Sequence, residues 1–354
     1  MKHFKFAAAL LFATALISVA CTSLNPYFTP AKPHHRADGF VNTDGTRIEK
    51  NADDLWAWVK EKFNSGLPTS PSQYVNGYSF PVLSPDREWL ANNRGQTSFT
   101  WLGHATMLLQ TGGLNVIFDP IFSERASAVQ WLGPKRKVPV PMQIKDLPVV
   151  DVVLISHNHF DHMDADSVIE LARQFPKVRF LVPLGTERWF KQQGIENVRG
   201  MDWWETDISR GTEFHFVPAR HWSVRNFLDR NENLWGGWVV KNAGHSFFFS
   251  GDTGYSDDFK NIGARFGDFD LAALPVGAYE PRWFMRDQHI NPDEAMKIHQ
   301  EVGAKKTVGV HWGTFELSQE SLDAPIGEVP AARERARLDS EAFILIKHGE
   351  TLKF

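Results

Sequence analysis

Residues Ser156 to His162 read Ser-His-Asn-His-Phe-Asp-His and place three imidazoles and one carboxylate within six positions. They directly follow the apolar segment 152–155, which predicts that they lie where a buried strand ends. Imidazole nitrogen and carboxylate oxygen are the ligands of metal ions that keep a position open for hydrolysis. This density of donors is not typical of a protein core, and it predicts a metal site on the loop.

Three further metal-binding candidates follow apolar segments elsewhere in the chain. They are His221 after residues 216–218, Asp252 after 247–249 and His311 after 307–310. Each of them alone would more simply be a structural residue. Because strands that end at one rim of a sheet bring their last residues together, we expect all three to meet the loop at residues 157–162.

The elements that must position these residues are short strands, separated by Gly, Asp and Pro turns, with helices between them. Predicted strands cover residues 99–110, 114–118, 149–156, 178–182, 213–217, 234–241, 246–250, 271–276, 307–310 and 343–347. Predicted helices cover 55–63, 167–175 with a Ser167-x-x-Glu170 capping box, 186–193, and a segment from Asn291 to Gly303. Two strand-rich halves with interspersed helices predict an α/β fold of two mixed sheets face to face, with helices outside.

The HxHxDH loop and several other motifs resemble one known family. The loop is the signature of the metallo-β-lactamase superfamily, and residues 97–350 resemble its N-acylphosphatidylethanolamine-hydrolysing phospholipase D branch. The motifs that carry this resemblance are residues 100–106, 118–123, 133–136, 157–162, 202–205, 251–255, 277–285 and 311–315. The resemblance implies a four-layer αββα metallo-β-lactamase sandwich. Residues before about 95 match weakly.

The same resemblance implies a set of metal ligands and two Zn²⁺ per chain. His157, His159 and His221 would hold one ion, Asp161, His162 and His311 the other, and Asp252 would bridge both. Two ions that share a water lower its pKa and leave a hydroxide poised to attack. Structural zinc sites usually use Cys, and because this chain has no Cys after residue 21, a catalytic site is favoured over a structural one.

The reaction implied is hydrolysis of N-acylphosphatidylethanolamine to N-acylethanolamine and phosphatidic acid. Asp161 and Asp252 would orient the attacking hydroxide, and His289 would face the substrate or leaving group, unless it caps the following helix. The predicted substrate contacts are Arg282, Lys135 and Arg136 for phosphate or headgroup, and Trp283 and Phe284 for an acyl groove. His104 and Asp119 lie in matching motifs and are expected to orient the metal ligands.

Two alternatives remain open at this point. A metallo-hydrolase of the same fold could act on a lactone or on another phosphodiester. A non-catalytic envelope lipoprotein that binds lipid or zinc is the alternative of a different class. An assay with several substrates tests the first alternative. Asp252→Ala tests the second, because it should abolish turnover if the protein is an enzyme and leave lipid binding intact if it is a lipid-binding lipoprotein.

The N-terminus predicts export. Lys2, His3 and Lys5 precede an apolar run from Phe6 to Ala20, which is typical of a signal peptide over residues 1–20. Cys21 then resembles the lipidation site of bacterial lipoproteins, although residues 18–20 also fit simple cleavage. The protein is therefore expected in the bacterial cell envelope, either lipid-anchored in the outer membrane or periplasmic.

The remaining chain is predicted as a tether and one domain. Residues 21–50 are expected to be an exposed tether in which His34 and His35 are solvated. Residues 51–354 are expected to form a single hydrolase domain, with a short extension to about residue 95.

Composition limits the partners. A net charge of −4 argues against nucleic-acid binding. The 13 Trp and 27 Phe suit either an aromatic core or a membrane surface that carries a phospholipid substrate. A homo-oligomer is compatible with the sequence.

Overall fold

Two seven-stranded mixed sheets form the centre of the computed structural model, which describes residues 25–65, 78–226 and 228–354. A short hairpin of β1 (His35–Arg36) and β2 (Gly39–Phe40) precedes them. Sheet A contains β3 (Ser98–Gly103), β4 (Thr106–Thr111), β5 (Leu114–Phe118), β6 (Val152–Leu154), β7 (Arg179–Pro183), β8 (Val198–Met201) and, from the C-terminus, β16 (Thr351–Lys353). Its spatial order is β16-β3-β4-β5-β6-β7-β8, antiparallel up to β5 and parallel from β5 to β8.

Sheet B comes from the second half of the chain. It contains β9 (Thr206–Ser209), β10 (Thr212–Val217), β11 (Gly237–Lys241), β12 (Ser246–Phe249), β13 (Leu271–Pro275), β14 (Thr307–Val310) and β15 (Phe343–Ile344). These strands are neighbours in chain order, antiparallel from β9 to β12 and parallel from β12 to β15. The sequence-based fold class, two mixed sheets, is confirmed.

The two sheets pack face to face through aromatic side chains. The Phe118 ring of sheet A lies 5.2 Å from the Phe247 ring and 5.7 Å from the Phe249 ring of sheet B, centroid to centroid. Phe99 is also within 5.8 Å of Phe247. These rings are buried, so much of the high Phe count belongs to the core between the sheets.

Helices cover both outer faces. Sheet A packs against α2 (Arg87–Asn92), α3 (Ala165–Gln174) and α4 (Glu187–Gln192), and sheet B against α5 (Asp258–Phe266), α7 (Pro292–Val302) and α8 (Ala324–Arg335). Two more helices, α1 (Ala52–Ser65) and α6 (Arg282–Met285), meet where Trp58 stacks on Phe284 at 5.5 Å. None of the helices in the described ranges is long and apolar enough to cross a membrane.

Helix ends follow local chemistry, with one difference from prediction. Helix α7 has the expected start at Asn291, whose side chain accepts from Glu294 N, and it ends at Gly303 with φ of 70°. Helix α3 is capped by Asp164, which accepts from Ser167 N. The predicted Ser167-x-x-Glu170 capping box is therefore wrong, because Ser167 already lies inside the helix.

The predicted strand 99–110 is divided into β3 and β4. Gly103 and His104 adopt positive φ values of 105° and 52°, which turns the chain between the two strands. A glycine tolerates this conformation without strain, whereas a histidine does so at a cost. The turn matters because it brings His104 to the rim where β6 ends.

Residues 25–50 differ from the exposed tether that was predicted. Phe40 and Ile48 are buried, and Phe40 N donates to Asn231 O over 2.9 Å. His34 and His35 are not solvated, since both contact the buried Asp202. Pro and polar residues suggested an unpacked segment, but Phe40 belongs to the hydrophobic core and Tyr27 packs against it. The predicted signal peptide and Cys21 lie outside the described residues.

Candidate metal centre

The expected metal-binding residues come together where strands of both sheets end. The loop after β6 supplies His157, His159, Asp161 and His162, and the segments after β10, β12 and β14 supply His221, Asp252 and His311. Strands β10, β12 and β14 run in the same direction, so their carboxyl ends share one rim. His311 has a positive φ of 62°, a backbone strain of the kind that clusters at functional sites.

Three histidines form the first cluster. His157 Nε2 lies 2.9 Å from His159 Nδ1, and His221 Nε2 lies 3.3 Å from the same atom. All three side chains belong to one group of potential ligands whose donor atoms lie within 4.8 Å of each other. These residues are the three that the resemblance assigned to one ion.

The second cluster combines a carboxylate with histidines. His162 Nε2 and His311 Nε2 each lie 3.4 Å from Asp161 Oδ2. His104 Nε2 approaches the same oxygen at 3.0 Å, so His104 joins this cluster more closely than an orienting residue was expected to. Asp161, His162 and His311 are the residues expected for the other ion.

Asp252 lies between the clusters. Its Oδ2 is 3.1 Å from His162 Nε2, 3.3 Å from His311 Nε2 and 4.0 Å from His157 Nε2. One carboxylate oxygen therefore lies close to nitrogens of both clusters.

Hydrogen bonds fix which nitrogen of the His157, His162 and His221 rings faces the centre. His162 Nδ1 donates to Asp119 Oδ2 over 2.7 Å, and His221 Nδ1 donates to the Gln288 carbonyl over 3.0 Å. Ser156 Oγ donates to Asp119 Oδ2 over 2.6 Å and lies 2.9 Å from His157 Nδ1, which donates to it. With Nδ1 protonated, the Nε2 lone pairs point inward. Metal-binding histidines are held by this kind of second hydrogen bond.

Unpaired buried atoms at the centre test the fit to metal ions. His159 Nε2, His162 Nε2, both ring nitrogens of His311 and Asp252 Oδ1 are buried without a hydrogen-bond partner. Buried polar atoms normally have partners. Nitrogen atoms gathered around ionised carboxylates suit a cation, and a set of N and O donors without Cys suits a catalytic divalent ion. The residues therefore fit a metal centre.

The electrostatics agree with this arrangement. Burial lowers the pKa of His159 to about 4 and that of His221 to about 3, so both are neutral near pH 7. Burial alone would also lower the pKa of His311, but Asp252 and Asp161 raise it to about 9. The carboxylates favour positive charge at this position, which a metal ion supplies more effectively than a proton.

His289 lies at the edge of the centre. Its ring is 8% exposed, and Nδ1, which has no hydrogen-bond partner, is 3.8 Å from Asp252 Oδ2. The cap of helix α7 is Asn291, so the capping alternative for His289 is wrong. Burial lowers the pKa of His289 to about 3, which leaves a neutral imidazole beside the predicted metal ligands.

The other predicted substrate contacts are placed less favourably. Arg282 donates to Glu294 Oε2 over 2.7 Å and to the His289 carbonyl over 2.8 Å, so its guanidinium supports the loop that carries His289. Phe284 is buried in a contact with Trp58. Trp283 is 46% exposed and donates to Glu61, so it remains open to a ligand.

The two basic residues at 135 and 136 differ from each other. Arg136 donates to the Ile121 carbonyl over 2.6 Å, and its guanidinium lies 4.8 Å from the Phe315 ring centroid. Burial lowers its pKa to about 10. Lys135 is exposed and 3.5 Å from Glu124. Arg136 therefore stabilises the loop from inside, and only Lys135 is placed to meet an external phosphate.

Two residues that support the centre were not predicted from the sequence. Ser156 immediately precedes the metal loop and could have been noticed as a polar residue at a strand end. Asn42 accepts a hydrogen bond from His221 N over 3.1 Å across 179 positions. No local pattern identifies such a partner, since Asn42 lies in the segment predicted as a tether.

Comparison with known proteins assigns the family. A model of the β-lactamase superfamily domain matches residues 114–312. The N-acyl-phosphatidylethanolamine-hydrolyzing phospholipase D 1 of Caenorhabditis elegans is 42% identical over 266 residues, which cover 71% of this chain and 74% of that protein. An uncharacterised protein of Mycobacterium bovis is 36% identical over 311 residues, covering 85% and 80%.

Solved structures agree on the fold. An isothiocyanate hydrolase from Delia radicum gut bacteria superposes with a TM-score of 0.59 at 18% identity, covering 73% of this chain and 98% of that one. The chain is a metal-dependent hydrolase, and it belongs to the β-lactamase superfamily, in the family of the N-acyl-phosphatidylethanolamine-hydrolysing phospholipases D.

Proposed function

We propose that this protein hydrolyses N-acylphosphatidylethanolamine to N-acylethanolamine and phosphatidic acid, as a phospholipase D-type phosphodiesterase. The observation that carries the proposal is the meeting of seven N and O donors at one rim, in a chain 42% identical to a protein named for this reaction. A phosphodiester needs stabilisation of negative charge at phosphorus, which a cationic centre provides.

We assign two Zn²⁺ to the centre. His157, His159 and His221 would hold one ion, Asp161, His162 and His311 the other, and Asp252 would contact both. When bound, such ions supply Lewis acidity and a nucleophilic water at neutral pH. The absence of Cys after residue 21 and the neutral state of buried His159 and His221 support divalent N/O ligation.

The chain's own residues orient the reaction. Burial would raise the pKa of the Asp161 and Asp252 carboxyls, but neighbouring histidines hold it well below the usual value. Both carboxylates are therefore ionised and can accept hydrogen bonds from the attacking water. In hydrolysis a P–O bond forms to water while the bond from phosphorus to the ethanolamine oxygen breaks. The proton that the water loses is taken up by the leaving alkoxide, which becomes the hydroxyl group of N-acylethanolamine. Neutral His289, whose Nδ1 has no hydrogen-bond partner, would orient that oxygen.

The direct test uses purified protein loaded with zinc and N-acylphosphatidylethanolamine in mixed micelles. We expect release of N-acylethanolamine, measured by mass spectrometry, and its loss in Asp252→Ala with lipid binding retained. Parallel assays with a sugar-phosphate lactone and a second phosphodiester test the alternative substrates. Turnover of one of these without release of N-acylethanolamine would overturn the substrate assignment and keep the hydrolase.

We also propose that a loop beside the centre docks on a phospholipid surface. Trp131 and Leu132 are 77% and 60% exposed. Their loop adjoins the centre because Arg136 contacts Phe315, whose ring lies 5.2 Å from that of His104. Large exposed apolar side chains beside cations such as Lys135 suit a membrane interface.

Sedimentation with anionic phospholipid vesicles tests this docking. We expect Trp131→Ser with Leu132→Ser to weaken vesicle binding. Val149→Ser is the matched control, because Val149 is 61% exposed but precedes β6 and therefore lies toward the opposite rim. Equal binding by all three proteins would contradict the docking role.

Export to the envelope, with Cys21 as a lipid anchor, remains a proposal that rests on residues 2–21 alone. Cell fractionation and the mass of the mature N-terminus test it in the wild type and in Cys21→Ser. A lipid anchor predicts membrane-bound wild type and a soluble Cys21→Ser protein. Equal fractionation of the two would refute the anchor.

A further inference from the structure

A second group of potential metal ligands lies apart from the metal centre and shares no residue with it. His34 and His35, from the segment at β1, converge on Asp202, which follows β8. His34 Nε2 lies 2.7 Å from Asp202 Oδ1, and His35 Nε2 lies 2.9 Å from Asp202 Oδ2. The three residues are 9%, 3% and 1% exposed, and their donor atoms lie within 4.8 Å of each other.

The hydrogen bonds of His35 leave its inner nitrogen without a proton. His35 Nδ1 lies 2.9 Å from the Tyr27 carbonyl oxygen, which can only accept, so the ring proton is on Nδ1. The Nε2 lone pair of a neutral ring then faces a carboxylate oxygen, and two acceptors meet at 2.9 Å. Either a second proton or a metal cation must lie between them. A second proton would bury an imidazolium, with a side chain only 1% exposed, beside a carboxylate that already pairs with the Lys32 ammonium.

Asp202 is already well supplied with donors. Its Oδ1 accepts from Trp203 N over 2.7 Å, and Lys32 Nζ contacts Oδ2. The Lys32 side chain is 40% exposed and also lies 4.0 Å from Glu205 Oε1. Lys32 can therefore withdraw toward Glu205 and solvent, whereas the two histidines are held in place by burial.

We propose that His34 Nε2, His35 Nε2 and the Asp202 carboxylate bind a divalent metal ion of the zinc type, at a third site separate from the metal centre. Two imidazoles and one carboxylate match the ligand preference of zinc and leave a fourth position for water on the Lys32 side. The contact of His35 Nδ1 with a backbone carbonyl is the second hydrogen bond that metal-binding histidines usually make.

The site joins the N-terminal segment to the support of the metal centre. The same segment carries Asn42, whose Oδ1 accepts from His221 N and from Trp235 Nε1, each over 3.1 Å. Trp203, next to Asp202, donates to the Trp235 carbonyl over 2.6 Å. An ion at Asp202 therefore stabilises the position of the segment whose Asn42 accepts a hydrogen bond from His221 N. The role of the ion is to stabilise the fold.

Metal counting on the full-length protein tests the proposal. After saturation with zinc and removal of the excess, elemental analysis is expected to give three ions per chain for the wild type and two for His35→Ala or Asp202→Asn. In His159→Ala with Asp252→Ala, which damages the metal centre, the ion at Asp202 should remain and should disappear when His35→Ala is added. Circular dichroism identifies variants that have lost the fold.

Lys32→Met distinguishes an ion from a lysine salt bridge. The proposal predicts that this variant still binds three zinc ions and that zinc still raises its melting temperature, because bound metal stabilises only the folded state. Two ions in the wild type and the same number in folded His35→Ala would overturn it, as would a fold lost in Lys32→Met at any zinc concentration. In either case Lys32 would be the cation of the site.

Discussion

At the residue scale, the metal centre depends on side chains that hold the predicted metal ligands in place and are not assigned to an ion themselves. Asp119 is fully buried and accepts from Ser156 N, Ser156 Oγ and His162 Nδ1 over 2.6–2.7 Å. It thereby sets the tautomers of His157 and His162 together. A single carboxylate thus orients one ligand from each cluster. Asp119 can do so because it follows β5, which pairs with β6, the strand that precedes the metal loop.

Asp119→Asn should weaken metal binding by about 10- to 100-fold, the usual effect of losing such a partner. An amide group donates where His162 Nδ1 and Ser156 need an acceptor, so the rings lose their inward Nε2 orientation. Zinc affinity measured against a competing chelator checks this. Asp151→Asn is the control, because Asp151 accepts from Asn115 N near the start of β6. Affinities within twofold of each other in the two folded variants would contradict the role of Asp119.

His289→Gln should separate turnover from metal content. Because His289 lies beside Asp252 but is not needed to complete either cluster, we expect both ions to remain while kcat falls about 100-fold, a typical loss for a positioned proton-transfer or hydrogen-bonding group. Steady-state kinetics and elemental analysis are measured on the same sample. Unchanged kcat would remove His289 from the reaction, and parallel loss of metal would make it a ligand.

At the scale of elements, close backbone packing places the ends of the strands. Gly277 follows β13, and a Cβ atom added there would lie 2.2 Å from the His311 carbonyl oxygen. The segments after β13 and β14 therefore approach each other too closely for any side chain at Gly277. His311, with its positive φ, is held between this contact and the hydrogen bond from its N to His104 O at 2.9 Å.

Gly277→Ala should displace His311 and reduce occupancy of the ion assigned to Asp161, His162 and His311. Gly327→Ala is the matched control, because nothing lies within 4 Å of a Cβ added there inside α8. That change should leave metal content intact and stabilise the protein by about 0.5–1 kcal/mol. Zinc content and urea unfolding are measured for both. Full zinc occupancy in folded Gly277→Ala would refute the packing argument.

At the scale of the whole molecule, the metal centre concentrates buried groups whose ionisation differs between folded and unfolded chains. Burial lowers the pKa of His104, His221 and His289 to about 3 and that of His159 to about 4, against about 6.5 when unfolded. His348, which lies outside the centre against Trp101, has a pKa lowered to about 3 in the same way. His311 has the opposite shift, to about 9, because Asp252 and Asp161 outweigh its burial. The metal-free fold is therefore sensitive to pH in both directions.

The metal-free protein should be most stable near pH 6.5. Below that pH the histidines bind protons in the unfolded chain but stay neutral in the folded one. The free energy of unfolding therefore falls from pH 6.5 toward pH 4. Above it, the stabilising proton on His311 is lost as the pH rises toward 9, and stability falls again. Urea unfolding of chelator-treated protein at pH 4.5, 6.5 and 9 checks this. Zinc should remove most of the alkaline decline, and a metal-free stability that rises steadily to pH 9 would be inconsistent with it.

The sequence alone determined the chemistry of the site and the fold class. Donor type and spacing at residues 157–162, and apolar strands that end at His221, Asp252 and His311, are local patterns, and strand ends at one rim meet by general rules of sheet geometry. Only the tertiary structure decided which contacts support them. In the structure Arg282 pairs with Glu294, and the predicted strand 99–110 is divided at Gly103 and His104. The segment that carries His34, His35 and Asn42 packs against the domain. These contacts join residues far apart in the chain, whose pairing depends on how sheets and loops pack and leaves no periodic trace in the sequence.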